Sequence, residues 1–526
     1  MILLAVHPVV ANLLPEIILV GGASLILLLG VLQARSSAAW ISLLSVLATL
    51  WFSRDLAETA APAVASLHAD SLVHFTRMAT LVIGLLLLLV NQHVPEESEQ
   101  PEFFALILFS LAGVLLVSIA NDLILLFLAL ELVSVPTYIL VGLSRRDMRA
   151  QEATGKYFFL GAFAAAMTLY GFSFLYGSAG TMQMMPAAGA EGSIASALLL
   201  PSVIEDKLTI VGFVLVLFGL AFKIAAVPLH FYVADVYQGA ASPVTGLLGF
   251  VPKFAGFIAI IRVMSMAGWE HGEATFWLLW AMAALTMTVG NTLALMQQNV
   301  KRMLAYSSVA HSGYMLVALA AGPASLGSPS PLRNGLAAML FYIVIYGAMN
   351  LGAFAALSYL RKRGADGEDD SAETIEEIAG AGRRHPWAAL ALAICVLSLM
   401  GFPPTGGFLG KLYVFSSAIS AGAGTTHERA MIGLVVIGVL NSAVAAAYYL
   451  RIIASCYLGK PAEGVSASRC RALHAGLALC ALVVMAVFAK PMALFDRAQS
   501  AVADVGAGVR DPRAHQIPAQ VDRDKP

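Results

Sequence analysis

Residues 221–237 read AFKIAAVPLHFYVADVY, and residues 398–415 read SLMGFPPTGGFLGKLYVF. Both stretches are apolar enough to lie in hydrocarbon, yet each has proline in mid-run and a lysine close by. Proline inside a helix removes a hydrogen bond, and its ring clashes with the carbonyl one turn back. Backbone groups freed in this way are tolerated at membrane depth only when buried in protein or lining a wet cavity. Two proline-broken segments in corresponding halves of a chain point to an inverted-repeat transport core. Pro228 and Pro403 each fall within a run of about five apolar spans, so the expected repeats cover residues 101–267 and 274–458.

The surrounding chain agrees. It has 526 residues, 59% hydrophobic and only 12% charged, with a mean hydropathy of +0.81. Soluble domains carry about 25% charged residues, so an ordinary soluble enzyme, a disordered chain and a secreted disulfide scaffold are all excluded. Lys and Arg number 31 against 32 Asp and Glu, a net charge of −1, which argues against a nucleic-acid partner. At about 20 apolar residues per crossing, about fourteen spans are expected. They lie near 10–32, 36–53, 70–91, 101–120, 122–143, 150–177, 208–238, 242–267, 274–298, 302–322, 332–361, 386–420, 428–458 and 472–494. Runs such as Leu81 to Val90 are continuous rather than alternating, which sets a lipid-facing barrel aside. Pro15 and Glu16 interrupt the first apolar run, so it reads as a retained span rather than a cleaved signal. The expected fold class is therefore an all-α polytopic membrane protein. Three helices within 1–100 precede the two five-helix repeats, each with one broken helix; a last helix at 472–494 leads into a polar tail at 495–526.

Short cytoplasmic loops are enriched in Lys and Arg. One side collects Arg35, Arg145, Arg146, Arg149, Lys301, Arg302, Arg361, Lys362, Arg363, Arg383, Arg384, Lys460, Arg469 and Arg471. The other has Arg54, Lys207, Arg333 and Arg429. The asymmetry places both termini on the periplasmic side, and the acidic run from Asp366 to Glu377 in a cytoplasmic loop, where it reads as a solvated linker.

Charges within the spans cost about 2.5–3.5 kcal/mol each at mid-bilayer and read as functional by default. Glu131 lies ten residues past Asn121, and Lys253 ten residues past Pro243; at about 1.5 Å per residue both reach roughly half-depth. Lys223 stands in the first broken span with His230 seven residues on, a spacing that would put both on one helical face. Lys411 follows the second break. Lysine as a residue type loses its proton more readily when buried, by about 3–5 pKa units, whereas arginine does not. A histidine titrates near neutrality with little help. Amines, a relay and a carboxylate partner are sufficient parts for a proton path. Each residue also has a structural reading. Glu131 and Lys223 could form a fixed ion pair, Lys223 and Lys411 could satisfy carbonyls freed at the breaks, and His230 could bond backbone. Lys156 lies near enough to the membrane edge to snorkel. His311 stands where the second repeat would put a counterpart of Glu131, and either reading suits it.

No Gly-rich dinucleotide fingerprint, phosphate loop or Cys/His metal cluster is present, and Cys395, Cys456, Cys470 and Cys480 show no paired spacing. Energy for uphill transport would have to come from a partner or another gradient.

Five stretches carry a resemblance: LLPEIILVGG (13–22), RRDMRAQEATGKYFFLGAFAAAMTLYGFSFLYGSAGT (145–181), FKIAAVPLHFYVADVYQGAASPVTGLLGFVPKFAGFIAIIRV (222–263), QQNVKRMLAYSSVAHSGYMLVAL (297–319) and GFPPTGGFLGKLYVF (401–415). In this order they resemble the antiporter-like membrane subunits of respiratory complex I, and most closely the subunit N branch of the bacterial NADH–quinone oxidoreductases. The resemblance implies a fourteen-helix fold and proton translocation in the bacterial inner membrane. Glu131 and Lys223 would be the coupled pair, His230 the relay, Lys253 the central carrier and Lys411 the far-side carrier; Lys156 matches a family lysine. The implied partners are neighbouring antiporter-like and small membrane subunits. This chain would hold no cofactor; NADH, flavin, iron–sulfur clusters and quinone would belong to partner subunits, and the oxidoreductase label to the assembly. The runner-up is a subunit of a multi-subunit sodium/proton antiporter, which the GFPPTGGFLGK segment alone does not separate. A bare membrane scaffold is a third reading.

Overall fold

With no water to take up backbone N–H and C=O groups, an apolar run in lipid satisfies them internally as a helix, and these runs do so. The structure, a computed structural model, describes residues 8–33, 37–55, 66–187, 192–204, 206–267, 273–322, 334–363, 369–503 and 505. The leading helices are α1 (Leu14–Val31), α2 (Ala38–Asp55) and α3 (Ser71–Asn91). Next come α4 (Gln100–Ile119), α5 (Leu123–Leu143), α6 (Met148–Ala179), α7 (Lys207–Lys223), the short α8 (Val233–Gly239) and α9 (Ser242–Ala267). The second half holds α10 (Glu273–Leu295), α11 (Val300–Ala321), α12 (Gly335–Tyr359), α13 (Pro386–Met400), α14 (Gly406–Gly422) and α15 (Glu428–Leu458). Helices α16 (Arg471–Ala489) and α17 (Met492–Ala501) close the chain. Among the described residues eleven helices are long and apolar enough to cross a membrane, and Ala38–Arg54 and Pro386–Met400 are shorter apolar helices. Arg35, Arg333, Asp366 and the tail beyond residue 505 lie outside the described residues.

Helix starts follow local chemistry. The Asp122 carboxylate accepts from Ile124 and Leu125 N–H at the head of α5, Asp147 from Ala150 at α6, and Asn299 from Arg302 at α11. These side-chain oxygens satisfy donors that a first helical turn leaves open. Gly180 and Gly401 end α6 and α13 in the left-handed conformation, where the absence of a Cβ removes the steric cost.

One departure from an all-helical reading is a three-stranded antiparallel sheet in the order β2-β1-β3, formed by β1 (Leu360–Arg363), β2 (Asp369–Ser371) and β3 (Val465–Ala467). Nothing in these short charged runs alternates enough to signal a strand; they pair because the bundle brings α12 and α15 to the same end. That end is tied further by Arg145–Glu373 at 2.7 Å, Arg146–Glu96 at 2.9 Å and His93–Ser358 at 2.8 Å. At the opposite end Arg262 on α9 meets Asp70 at 2.6 Å. Helices α9, α11 and α12 are almost wholly enclosed, while α1, α15 and α16 expose broad apolar faces.

Candidate functional site

The first break shows how the chain manages freed backbone groups. Helix α7 stops at Lys223, Ala225 takes a positive φ of 58°, and the path turns until α8 begins at Val233. The expected shared helical face for Lys223 and His230 therefore does not exist: Pro228 ends the regular rise, and His230 sits in the turn with its Nδ1 buried. The loose backbone groups, carbonyls and an N–H, find side chains instead. The Tyr232 hydroxyl donates to Phe222 O at 2.8 Å, Ser312 Oγ donates to Ile224 O at 2.5 Å, and Val227 N–H donates to Thr286 Oγ1 at 3.0 Å. At the second break Lys411 Nζ reaches back to Met400 O at 2.9 Å, and Gly407 N–H donates to Ser398 Oγ at 3.1 Å. Residue 407 must be glycine for this, since a Cβ there would stand 2.0 Å from Ser398 O.

Between the breaks runs a row of polar side chains. Lys223 Nζ donates to Glu131 Oε1 at 3.0 Å and bonds Ser134 Oγ. The pair is lopsided, with the lysine side chain 5% exposed and the glutamate 25%. A small cavity of about 10 Å³, lined by Tyr157, Lys223, Tyr232, Tyr237 and Lys253 among others, separates Lys223 from Lys253; that is room for about one water. Lys253, fully enclosed, donates to Ser308 O and to Ser312 Oγ at 2.9 Å. Among the described residues no ion pair reaches it. One turn along α11, His311 Nδ1 meets the Tyr342 hydroxyl at 2.7 Å, and its Nε2 meets the Tyr449 hydroxyl at 3.0 Å. Tyr449 in turn bonds Ser307 Oγ. Lys411 Nζ lies 4.6 Å from the centre of the Tyr314 ring, an attraction of cation–π type.

Glu131, Lys223 and Lys253 are thus linked by one pair and one small cavity, and Lys411 faces Tyr314 on α11, the helix whose Ser308 and Ser312 meet Lys253. Lys156 does not join them: its side chain is 41% exposed and pairs with Asp235 at 2.9 Å and with Glu152 at 2.6 Å. His311, for which the sequence allows either reading, stands on α11 between Ser308, which accepts from Lys253, and Tyr314, whose ring faces Lys411. Ser308, Ser312, Tyr237, Tyr342 and Tyr449 went unnoticed in the sequence. The signal was there for the serines, because Ser308, His311 and Ser312 follow the i, i+3, i+4 rhythm of one helix face in the apolar part of α11. Two buried pairs were also missed, Arg77–Glu16 at 2.7 Å and Arg262–Asp70, since their partners are far apart in sequence.

Comparison with known proteins adds an independent finding. Residues 120–439 match the family described as NADH:quinone oxidoreductase/Mrp antiporter, transmembrane. The chain is 38% identical over 467 residues to NADH-quinone oxidoreductase subunit N of Trichlorobacter lovleyi, covering 86% of this chain and 88% of that one. It superposes on a chain of respiratory complex I from Thermus thermophilus with a TM-score of 0.75 at 30% identity, covering 92% and 98% of the two chains. A chain of the Mrp complex from Dietzia sp. DQ12-45-1b has the same TM-score of 0.75 at 20% identity, covering 95% and 97%, a likeness of fold.

Proposed function

This chain belongs to the NADH:quinone oxidoreductase/Mrp antiporter transmembrane family, and from that membership we propose how its buried side chains carry protons. It is an antiporter-like, proton-pumping membrane subunit of the subunit N type, in an NADH–quinone oxidoreductase whose redox activity belongs to the assembly. It is a multi-pass protein of the bacterial inner membrane, and its partners are other subunits of complex I. The closer partners we propose are a neighbouring antiporter-like subunit and small membrane subunits, with NADH, flavin, iron–sulfur clusters and quinone held elsewhere in the complex.

In the proposed route a proton taken up from the cytoplasmic side reaches Lys253, passes by way of the Ser312 hydroxyl, His311 and the Tyr449 hydroxyl, and leaves by way of Lys411. The Glu131–Lys223 pair gates it: while the carboxylate holds the Lys223 amine, a positive charge faces Lys253 across the one-water cavity, and release of the pair changes the field at Lys253. His230 and Lys156 are proposed as accessory groups at the break and at the rim. The scaffold we propose has about fourteen crossings, with α7–α8 and α13–α14 each counted as one broken span. Its repeats span 101–267 and 274–458 between a three-helix leader at 1–100 and a last helix at 472–494, with the 495–526 tail and both termini periplasmic.

The observation that carries this reading is the placement of Lys253 against the oxygens of α11, one turn from an imidazole that faces two tyrosine hydroxyls. A fixed structural amine would be expected beside a carboxylate; this one meets two neutral oxygens, a backbone carbonyl and a serine hydroxyl. Membrane vesicles holding the complex with Lys411→Met should oxidise NADH and pump fewer protons per NADH. Unchanged pumping in a fully assembled complex would end the proposal. The sodium/proton antiporter reading rests on the shared family description and on a likeness of fold at 20% identity, and purification of the native complex with its flavin-bearing and iron–sulfur subunits separates the two.

A further inference from the structure

Outside the row of buried amines, one group of charges ties together the elements that position it. Glu373 lies in the stretch after β2. Its Oε1 accepts from Arg145 Nη1 at 2.7 Å and from Lys301 Nζ at 3.0 Å, while its Oε2 accepts from Asn299 Nδ2 at 3.3 Å. Its own carbonyl accepts from Val300 N–H at 2.6 Å. One residue thereby grips the first turn of α11 by side chain and by backbone. Lys301 is wholly buried, and its Nζ also donates to Gln238 O at 3.2 Å and Ala240 O at 2.7 Å. Those carbonyls belong to the C-terminal end of α8, where a cation is favoured by the partial negative charge of the helix terminus. Arg302 reinforces the join through Asp235 Oδ1 at 2.7 Å and Gln238 Oε1 at 3.0 Å.

The two elements clamped here are the ones that meet at Lys253. Tyr237, next to Gln238 on α8, shares a hydrogen bond of 3.1 Å with Ser308 Oγ on α11, and Ser308 O accepts from Lys253. Lys301 and Ser308 are seven residues apart, about 10 Å or two turns along one helix. A shift of α8 against α11 at the clamp is therefore transmitted by a stiff element to the oxygen that holds the amine.

We propose that Glu373 is a positioning residue for proton transfer: through Lys301 it sets where the half-helix α8 ends against α11, and so the alignment of Tyr237, Ser308 and Lys253. This rests on Lys253 being a proton carrier. The residue touches no transferred proton, and its effect lies in coupling rather than in electron transfer. The test is Glu373→Gln in the whole complex, which keeps the side-chain shape and removes the charge. Expected is a loss of protons pumped per NADH, with NADH–quinone turnover per assembled complex kept within about twofold of the parent. A merely structural role would lower the amount of assembled complex and leave that ratio intact, and an intact ratio overturns the proposal. Should Glu373→Gln fail to assemble, Lys301→Arg keeps the charge while changing the donor geometry, and it is read by the same ratio with the same two outcomes. Lys253→Ala run in parallel separates the failures. If it alone abolishes pumping, the positioning role is wrong; if neither variant alters the ratio, the proton-carrier reading itself falls.

Discussion

Replacing Lys253 by methionine separates the chemistry of its amine from the packing of its stem. The amine makes two hydrogen bonds, to Ser308 O and Ser312 Oγ. Hydrogen bonds to a charged group contribute about 1.5–3 kcal/mol each, so about 3–6 kcal/mol is lost. The cost of holding an ammonium out of water, several kcal/mol, disappears with it. Neither acceptor is orphaned, because Ser312 Oγ still donates to Ile224 O at 2.5 Å and Ser308 O keeps its place in the i to i+4 hydrogen-bond ladder of α11. Methionine is unbranched, flexible and close to lysine in length, so the space stays filled. The balance for Lys253→Met is within about 2 kcal/mol of zero, and the complex should assemble at parental abundance. Lys253→Ala also deletes the buried stem, and large-to-alanine changes in a packed core cost about 2–5 kcal/mol; that variant should assemble less. Proton uptake by inverted vesicles, normalised to assembled complex and to NADH oxidised, should fall alike in both. The reasoning is refuted if Lys253→Met pumps like the parent, or if it fails to assemble while Lys253→Ala succeeds.

Two further outcomes follow from packing and charge. In Gly313→Ala the new Cβ would stand 2.6 Å from the backbone nitrogen of Met287; α10 and α11 must part, costing about 1–3 kcal/mol, and an unaltered thermal melt of the purified complex would contradict this. Burial pushes the Glu373 carboxyl up, but Lys301 and Arg145 outweigh it and hold the group below its ordinary 4.5. A depressed folded-state value means that the stabilisation is full above the unfolded value and is lost as pH falls through the folded one. The melting gap between parent and Glu373→Gln should thus be constant near neutral pH and close only on the acid side of 4.5. A gap that closes instead as pH rises above neutrality would disprove the assignment.

The spans were legible because apolar length is a local property, as were both breaks, where Pro228 and Pro403 interrupt the helix whatever surrounds them. Glu131, Lys223, Lys253 and Lys411 stood out because a charge inside an apolar run is conspicuous on its own. His230 misled because a helical repeat was carried across a proline that ends the helix, so its facing direction could not be counted from Lys223. Ser308 and Ser312 were overlooked because serine is unremarkable in a membrane helix until a lysine from another helix is seen against it. Glu373 looked like one more acid in a charged loop; only the arrival of Lys301, Arg145 and Asn299 from distant positions gives it a role.

What this chain's sequence determined by itself is the environment and the cast. Hydrocarbon compels helices, proline compels breaks, and ionisable groups survive in such a setting only when they have a use or a partner. Tertiary structure alone decided the pairings: that Lys253 faces α11 rather than a carboxylate, that His311 stands between the residues of α11 that meet Lys253 and Lys411, and that Lys301 caps α8. Those contacts join residues tens to hundreds of positions apart, and their geometry depends on how enclosed helices pack against one another, which no local pattern of residues encodes.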